Sequence, residues 1–180
     1  MGLCTPENAN KLEQKDTDAR WTKKNNETHF GYKDHVKVDT DSKIIVDYIV
    51  TDASVHDSQA IVDICDERDN AINADSAYVG EKLEEALREK CGDDIVLNIN
   101  EKGYRNKPLT EEQKASNREK SKTRVRVEHV FGHMTNSMGG MTIRCIGITR
   151  ARCAIALKNL AYNMSRYAYL LFAKKVPVAA

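Results

Sequence analysis

The sequence predicts an α/β fold in which a β-hairpin is followed by alternating helices and strands. Apolar and polar residues alternate over residues 29–38, as they do in a half-buried strand, and a second apolar run, KIIVDYIVT, spans residues 43–51. Beyond residue 52, two segments carry apolar residues at helical spacing, and each is followed by a short apolar run. The predicted order over residues 29–98 is therefore β-β-α-β-α-β.

The hairpin follows a polar N-terminal segment. Residues 1–28 hold only isolated apolar side chains, so we expect an irregular polar arm there. From His29 onward, one face of the first strand is apolar, and residues 39–42 (DTDS) supply the turn to the second strand. A single domain is expected to begin here and to extend over residues 29–175.

The middle of the chain carries start and stop signals for two helices. Asp52 or Ser54 can cap the first helix, which we expect to end near Asn70. The second helix is predicted over about residues 79–91, because Gly92 is a typical helix stop. A short strand that ends at Asp75 separates the two helices, and another is predicted over residues 94–98.

Two long helices are predicted to complete the fold. Thr110 and Gln113 have the spacing of a capping box, which begins a helix whose buried side is predicted to hold Val127, Val130, Phe131 and Met134. A glycine-rich break at residues 138–140 ends this helix. The final helix is predicted over about residues 149–173. Its apolar stripe comprises Leu157, Leu160, Ala161, Met164, Ala168 and Leu171.

The near-neutral charge of the chain conceals two oppositely charged parts. Residues 1–100 hold 12 Lys and Arg against 22 Asp and Glu, a net charge of −10. Residues 101–180 hold 16 against 5, a net charge of +11, and the two parts together give +1. A strongly basic part points to a polyanion partner, although the two parts can also neutralise each other across the fold.

Cysteine usage and hydropathy predict a cytoplasmic protein. The five cysteines are odd in number and form no C-x-x-C pair, which favours reduced thiols. No apolar stretch approaches the ~18 residues that span a bilayer, so no membrane partner is expected.

Two acidic side chains stand where metal ligands would suit the predicted fold. Asp75 ends a strand, where the loops of open α/β sheets form a crevice, and Glu128 lies at the margin of the buried side of a basic helix. Each also has an ordinary structural interpretation. Asp75 can cap the next helix, and Glu128 can form an i,i+4 ion pair with Arg124. Metal-dependent phosphodiester cleavage usually needs three carboxylates that hold hard cations.

A series of short motifs runs through the chain from residue 18 to the final helix. They are Asp18-Ala-Arg-Trp21, Gly31-Tyr-Lys33, His56-Asp-Ser58, Ala74-Asp-Ser-Ala-Tyr78, Asn117-Arg118, Arg124-x-x-Val-Glu128, Phe131-Gly132, Met138-Gly-Gly140, Arg150-Ala151 and Tyr162-Asn163. In this order they resemble the catalytic part of bacterial insertion-sequence transposases of the DDE type, in the IS-four and IS-five superfamily.

The resemblance implies a ribonuclease-H-like mixed sheet flanked by helices, and Mg²⁺ or Mn²⁺ held by Asp, Asp and Glu. Asp75 matches the second Asp and Glu128 matches the Glu. The first Asp of the family lies on a first, central strand for which residues 1–10 show no β-rich run. We therefore expect an N-terminally truncated, inactive transposase in which two sheet edges face an empty slot.

The resemblance also implies the partners. They are DNA, at the insertion-sequence ends and at the target, and another protein chain, either a second copy or a full-length transposase. A place at the bacterial nucleoid follows from DNA as partner. The predicted phosphate contacts come from the basic loop and helix, through Arg105, Lys107, Lys120, Lys122, Arg124 and Arg126.

Two other functions remain open at this point. One is a catalytically inactive protein that binds DNA or inhibits a transposase. The other is an unrelated metal nuclease that uses Asp47 as its third ligand. For Asp47 an edge or pairing role is favoured, and for Asp57 a helix-cap role. His35 and His56 are interpreted as polar-face residues without zinc-site partners.

Overall fold

The computed structural model describes residues 14–24, 26–74, 80–101, 103 and 109–173. These residues form five strands: β1 (Arg20–Lys24), β2 (Glu27–Val38), β3 (Ile45–Asp52), β4 (Ala71–Ala74) and β5 (Val96–Ile99). They also form four helices: α1 (Asp57–Ile64), α2 (Glu81–Cys91), α3 (Glu111–Ser137) and α4 (Ile148–Ala173). The predicted mixed α/β class is confirmed. Within these ranges, no helix is both long enough and apolar enough to cross a membrane.

The first sheet is antiparallel and has the order β1-β2-β3. The predicted hairpin is present, since β2 pairs with β3 from Tyr32 opposite Asp52 to Val38 opposite Ile45. β1 lies in the segment where an irregular arm was expected. It pairs with the first part of β2, and the exposed rings of Trp21 and Phe30 lie 5.0 Å apart. Backbone pairing, not burial, therefore orders this segment.

The second sheet holds β4 and β5, which pair in parallel. Parallel strands need a crossover connection, and α2 lies within it. The helix ends at Gly92, as predicted, where a φ of 97° favours glycine. Leu87, which is fully buried, and Cys91 anchor α2 in a core that includes Ile72 of β4 and Ile99 of β5.

α1 differs from its prediction at both ends. Its N-cap is His56, whose Nδ1 accepts from the Ser58 amide at 3.2 Å, and neither Asp52 nor Ser54 caps it. Asp52 instead accepts the Ser54 amide at 2.8 Å in the preceding turn. The helix ends at Ile64, because Cys65 takes extended backbone angles, so the expected end near Asn70 is wrong.

α3 contacts both sheets. The predicted capping box at Thr110 and Gln113 is present. Further along the helix, the Lys120 ammonium group donates to the Ile99 carbonyl of β5 at 2.9 Å, and the Arg126 guanidinium donates to the Thr40 carbonyl between β2 and β3. One carbonyl thus lies in the second sheet and the other in the turn that joins two strands of the first sheet. α3 therefore connects the two sheets.

α4 packs on β3 with a different face from its predicted apolar stripe. Its buried residues are Ala151, Ile155, Asn159 and Tyr162. Asn163 holds both backbone groups of Ile45, accepting from its N–H at 2.9 Å and donating to its carbonyl at 2.8 Å. The residues of the predicted stripe are all exposed. The sheet therefore selects the face with Asn159 and Tyr162.

A groove of about 570 Å³ lies between the two sheets. One wall is formed by residues 36–40 of β2 and its turn, and the other by residues 70–73 at β4. Thr123, Arg124 and Val127 of α3 also line it. We call this space the inter-sheet groove. Among the described residues no strand joins β2 to β4. That a central strand belongs between them stays a prediction.

Candidate functional site

Glu128 lies near the middle of α3, at the margin of the buried side. Val130 and Met134, which define that side, are fully buried, whereas the Glu128 side chain is 61% exposed. Its Oε1 lies 3.4 Å from Nη2 of Arg124, one turn earlier. The structural interpretation of Glu128 as one partner of an i,i+4 ion pair is therefore correct. This exposed pairing does not exclude a ligand role, because such pairs contribute little.

Glu128 is one of the residues that line a cavity of about 640 Å³ between α3 and α4. Lys43 and Arg166 line the same cavity, and Arg166 is held there by its Nε, which donates to the Ser42 carbonyl at 2.6 Å. His129 and Tyr162 contribute further polar groups to the wall. The lining of the cavity thus includes one acidic residue and two cationic residues, of which Arg166 is held in place by the fold.

Asp75 lies outside the described residues, so its distance to Glu128 is not defined. Its neighbour Ala74 is buried, and the Ala74 carbonyl accepts from the Asn100 amide at 3.4 Å. The Asn100 side chain donates to Oγ of Ser121 at 3.3 Å. The end of the β4–β5 sheet therefore lies beside α3 at Ser121, which is about 10 Å from Glu128 along the helix axis.

The predicted phosphate-binding residues do not share one surface. Arg105 and Lys107 lie outside the described residues. On α3, Lys120 and Arg124 follow the line of Glu128, whereas Lys122 and Arg126 lie on another side of the helix, since each residue turns about 100°. Lys120 and Arg126 bind carbonyl groups of the fold, and Lys122 lies 2.7 Å from Glu119. Of these four cations on α3, Lys122 is the most exposed.

Other exposed cations were not singled out from the sequence. They include Arg118 on α3, Arg144 before α4, and Arg150 and Arg152 in its first turns. All four belong to the basic part of the chain, and two of them occur in the motif series. The available signal was the +11 charge of residues 101–180, which indicates a surface without identifying its members.

The alternative acids are placed by the fold. Asp47, for which an edge or pairing role was favoured, is exposed on β3, an edge strand, opposite Lys37. Asp57 lies in the first turn of α1, where its Oδ1 is 3.1 Å from Nζ of Lys33. The expected cap role of Asp57 is wrong, because the N-cap residue is His56. His35 is largely buried and bonds to Thr51 at 2.9 Å, and burial lowers its pKa. Within the described part of the chain, Glu128 forms no hydrogen bond or ion pair with Asp47, Asp57, His35 or His56.

Within the described ranges, ligand-type side chains come together at Cys65, Asp69 and Cys91, whose ligand atoms lie within 4.8 Å of one another. Burial raises the pKa of Cys65 to about 12, which keeps this thiol neutral. The Lys37 ammonium group already bonds to Asp69 at 3.1 Å. We interpret the cluster as structural, because its carboxylate already has a cationic partner and both of its thiols are buried.

Comparison with known proteins identifies relatives of this chain. Residues 5–164 match the family described as "Transposase DDE domain". The "Transposase for insertion sequence element IS1106" of Neisseria meningitidis serogroup B is 31% identical over 161 residues, which cover 88% of this chain and 54% of that protein. The chain thus spans about half the length of this curated relative. No solved structure matches it. The protein belongs to the family of transposase DDE domains.

Proposed function

We propose that this chain contributes Asp75 and Glu128 to a metal site that cleaves and transfers DNA strands during transposition of an insertion sequence. The observation that carries the proposal is the position of α3. This helix bears Glu128 and lies beside the end of β4, the strand that Asp75 follows. Family membership supports DNA as the substrate. The two DNA sites would be the ends of the insertion sequence and the target into which it is inserted. The reaction and both roles remain our proposal for this chain.

The proposed domain covers residues 29–175 and has a ribonuclease-H-like sheet. Support comes from the inter-sheet groove, which lies between β2 and β4 and has α3 along one side. One added strand would join the two sheets into a single mixed sheet. An aspartate on such a strand would be the third ligand. We propose that the chain depends on this strand for catalysis.

The available carboxylates suit Mg²⁺ or Mn²⁺. Both ions prefer oxygen ligands, and Glu128 offers an exposed carboxylate next to a cavity. Arg124 would have to turn away from Glu128 when the ion binds, and it could then contact a phosphate. A bound divalent ion would activate the attacking oxygen and stabilise the leaving one. The protein would hold the ion and orient the DNA.

Metal affinity tests the proposed site separately from catalysis. Mn²⁺ binding to the 180-residue chain is measured by electron paramagnetic resonance for Asp75→Asn, Glu128→Gln and a control, Glu119→Gln, which also lies on α3 and forms an ion pair. We expect the first two variants to weaken binding at least tenfold and the control to match the wild type. Unchanged binding in the Glu128→Gln variant would remove Glu128 from the site.

Cleavage assays test the dependence on an added strand. The chain alone is incubated with insertion-end DNA and Mg²⁺ or Mn²⁺, and nicking is followed on gels. We expect no nicking, because two carboxylates fall short of the usual three. Robust nicking that Glu128→Gln abolishes would contradict this expectation while supporting the metal site itself.

A second candidate function is a catalytically inactive protein that binds DNA or inhibits a transposase. The exposed arginines before and at the start of α4 favour it, since they need no metal to bind phosphates. It predicts DNA binding that does not change when Glu128 is replaced by Gln. It also predicts that Mn²⁺ has no site at Asp75 and Glu128, so the affinity experiment separates the two functions.

A further inference from the structure

α3 is attached to the two sheets by different kinds of contact. Its C-terminal half packs against the first sheet and α4 through the buried Val130 and Met134, which share a core with Ile45 and Tyr162. Among the described residues, the core of the second sheet includes no residue of α3. The attachment of α3 to the second sheet therefore depends mainly on polar side chains.

Asn117 makes the most complete of these polar attachments. Its Oδ1 accepts from the Glu101 amide at 2.9 Å, and its Nδ2 donates to the Glu101 carbonyl at 2.9 Å. One side chain thus binds both backbone groups of a residue just beyond β5, as a neighbouring strand would. The Gln113 side-chain amide donates to the carboxylate of the same glutamate.

Two further side chains of α3 bind the same segment. The Lys120 ammonium group donates to the Ile99 carbonyl at 2.9 Å, and Oγ of Ser121 accepts from Nδ2 of Asn100 at 3.3 Å. The Asn100 amide in turn donates to the carbonyl of Ala74, the last residue of β4, at 3.4 Å. We call the four α3 side chains that bind residues 99–101 the β5 clamp: Gln113, Asn117, Lys120 and Ser121.

The β5 clamp and Glu128 lie along one face of α3. The members of the clamp recur at i, i+4, i+7 and i+8, which is the spacing of a single helix face. Glu128 continues this face, because the eleven residues from Asn117 bring it back to within about 20° around the helix, about 16 Å further along the axis. The Glu128 side chain is 61% exposed, so its direction depends on the rotation of the helix more than on its own packing.

We propose that Asn117 is a positioning residue for the metal site. Through the β5 clamp, it fixes the rotation of α3 and thereby the place of Glu128 relative to the end of β4, which Asp75 follows. The inference rests on the proposed function, in which Asp75 and Glu128 share an ion. Small, hard divalent ions tolerate little displacement of their ligands, so a helix that turns freely would hold the ion weakly. Asn117 itself contacts neither the ion nor DNA in this role.

Mn²⁺ binding to the full 180-residue chain, measured by electron paramagnetic resonance, tests the proposal. Asn117→Leu keeps the approximate size of the side chain and removes both bonds to Glu101. Ala115→Leu is the control, because Ala115 is exposed on the opposite side of the same helix. We expect the dissociation constant for Mn²⁺ to rise about fivefold or more in Asn117→Leu and to stay unchanged in the control. Circular dichroism checks that both variants are folded.

A double-mutant cycle with Glu128→Gln separates a positioning role from a role in stability alone. If Asn117 acts through Glu128, adding Asn117→Leu to Glu128→Gln should cost little further affinity for Mn²⁺. Two results would overturn the proposal. One is a folded Asn117→Leu chain that binds Mn²⁺ as the wild type does, and the other is a loss by the same factor with and without Glu128→Gln.

Ser121→Ala replaces Asn117→Leu in this cycle if the latter does not fold. It removes only the acceptor of the Asn100 side chain, so we expect a loss of about twofold that also disappears in the Glu128→Gln background. Unchanged affinity in Ser121→Ala would then overturn the proposal. Unchanged binding in Glu128→Gln alone is a different result, because it would remove the metal site itself and, with it, anything for Asn117 to position.

Discussion

The most unusual single residue is Asp34, a carboxylate on the apolar side of β2. Its Oδ1 accepts from Nδ2 of the buried Asn159 at 3.3 Å. Oδ2 of Asp34 and Oδ1 of Asn159 are both buried without a hydrogen-bond partner among the described residues. Burial raises the pKa of Asp34 to about 6, and the bond from Asn159 opposes this effect. A protonated Asp34 could donate the missing hydrogen bond.

This arrangement predicts a pH-dependent stability. In the unfolded chain Asp34 has its ordinary pKa of 3.8, so between pH 4 and 6 the folded state binds more protons than the unfolded state. The free energy of unfolding should therefore fall as pH rises through this window. Asp34→Asn removes the buried charge and supplies an amide donor. We expect it to stabilise the fold at pH 7.5 by about 1 to 2 kcal/mol, a discounted value because the side chain is only partly buried.

Urea unfolding at pH 4 and pH 7.5 measures this effect. The gain from Asp34→Asn should shrink or vanish at pH 4, where the wild-type carboxyl is protonated in the folded state. Asp47→Asn is the matched control, because Asp47 is exposed on the neighbouring strand and should give little change at either pH. A loss of stability in Asp34→Asn at pH 7.5 would show that the ionised carboxylate is the favoured form.

Among the elements, α3 is the one whose sequence pattern and structure agree best. Its capping box, its length and its buried side all follow from local spacing. In α4, by contrast, the spacing of apolar residues does not determine which face of the helix is buried. Its two apolar faces are both visible in the sequence, but contacts of Tyr162 and Asn163 with β3 and the loop before it select the one that is buried. β1 could not be predicted from burial, because its exposed strand is ordered by pairing with β2.

Two valines on α3 test how much the helix contributes to the core. Val130 is fully buried against the first sheet and α4, whereas Val125 is 40% exposed on the same helix. Val130→Ala should lower the free energy of unfolding by about 2 kcal/mol, through lost transfer energy and a residual cavity. Val125→Ala should cost well under half as much. Equal losses in denaturant titrations would contradict the packing described for α3.

At the scale of the whole molecule, the described strands form two separate sheets, one of order β1-β2-β3 and one of order β4-β5. The inter-sheet groove lies between the hairpin and the Ile72 strand, and α3 connects the two sides. The sequence predicted the position of the candidate site less well than it predicted the order of the strands and helices. Glu128 lines the cavity between α3 and α4, whereas its ion-pair partner Arg124 lines the groove. Side-chain direction along one helix depends on packing that spacing alone does not define.

The separation of charge along the chain leads to the last prediction. Residues 101–180 carry a net charge of +11, and their exposed cations include Arg150 and Arg152. Binding of duplex DNA should therefore release counterions, and its affinity should fall steeply with salt, with a logarithmic slope of about −3 for three to four phosphate contacts.

Fluorescence anisotropy over a range of salt concentrations measures that slope. Replacing both Arg150 and Arg152 by Gln should make the slope shallower by up to about 2 and weaken binding to all sequences alike, because phosphate contacts carry no sequence information. Lys82→Gln, an exposed residue of the acidic part, is the control and should leave the slope unchanged. Binding that ignored ionic strength would mean that the basic part serves to neutralise the acidic part of the fold and does not contact DNA.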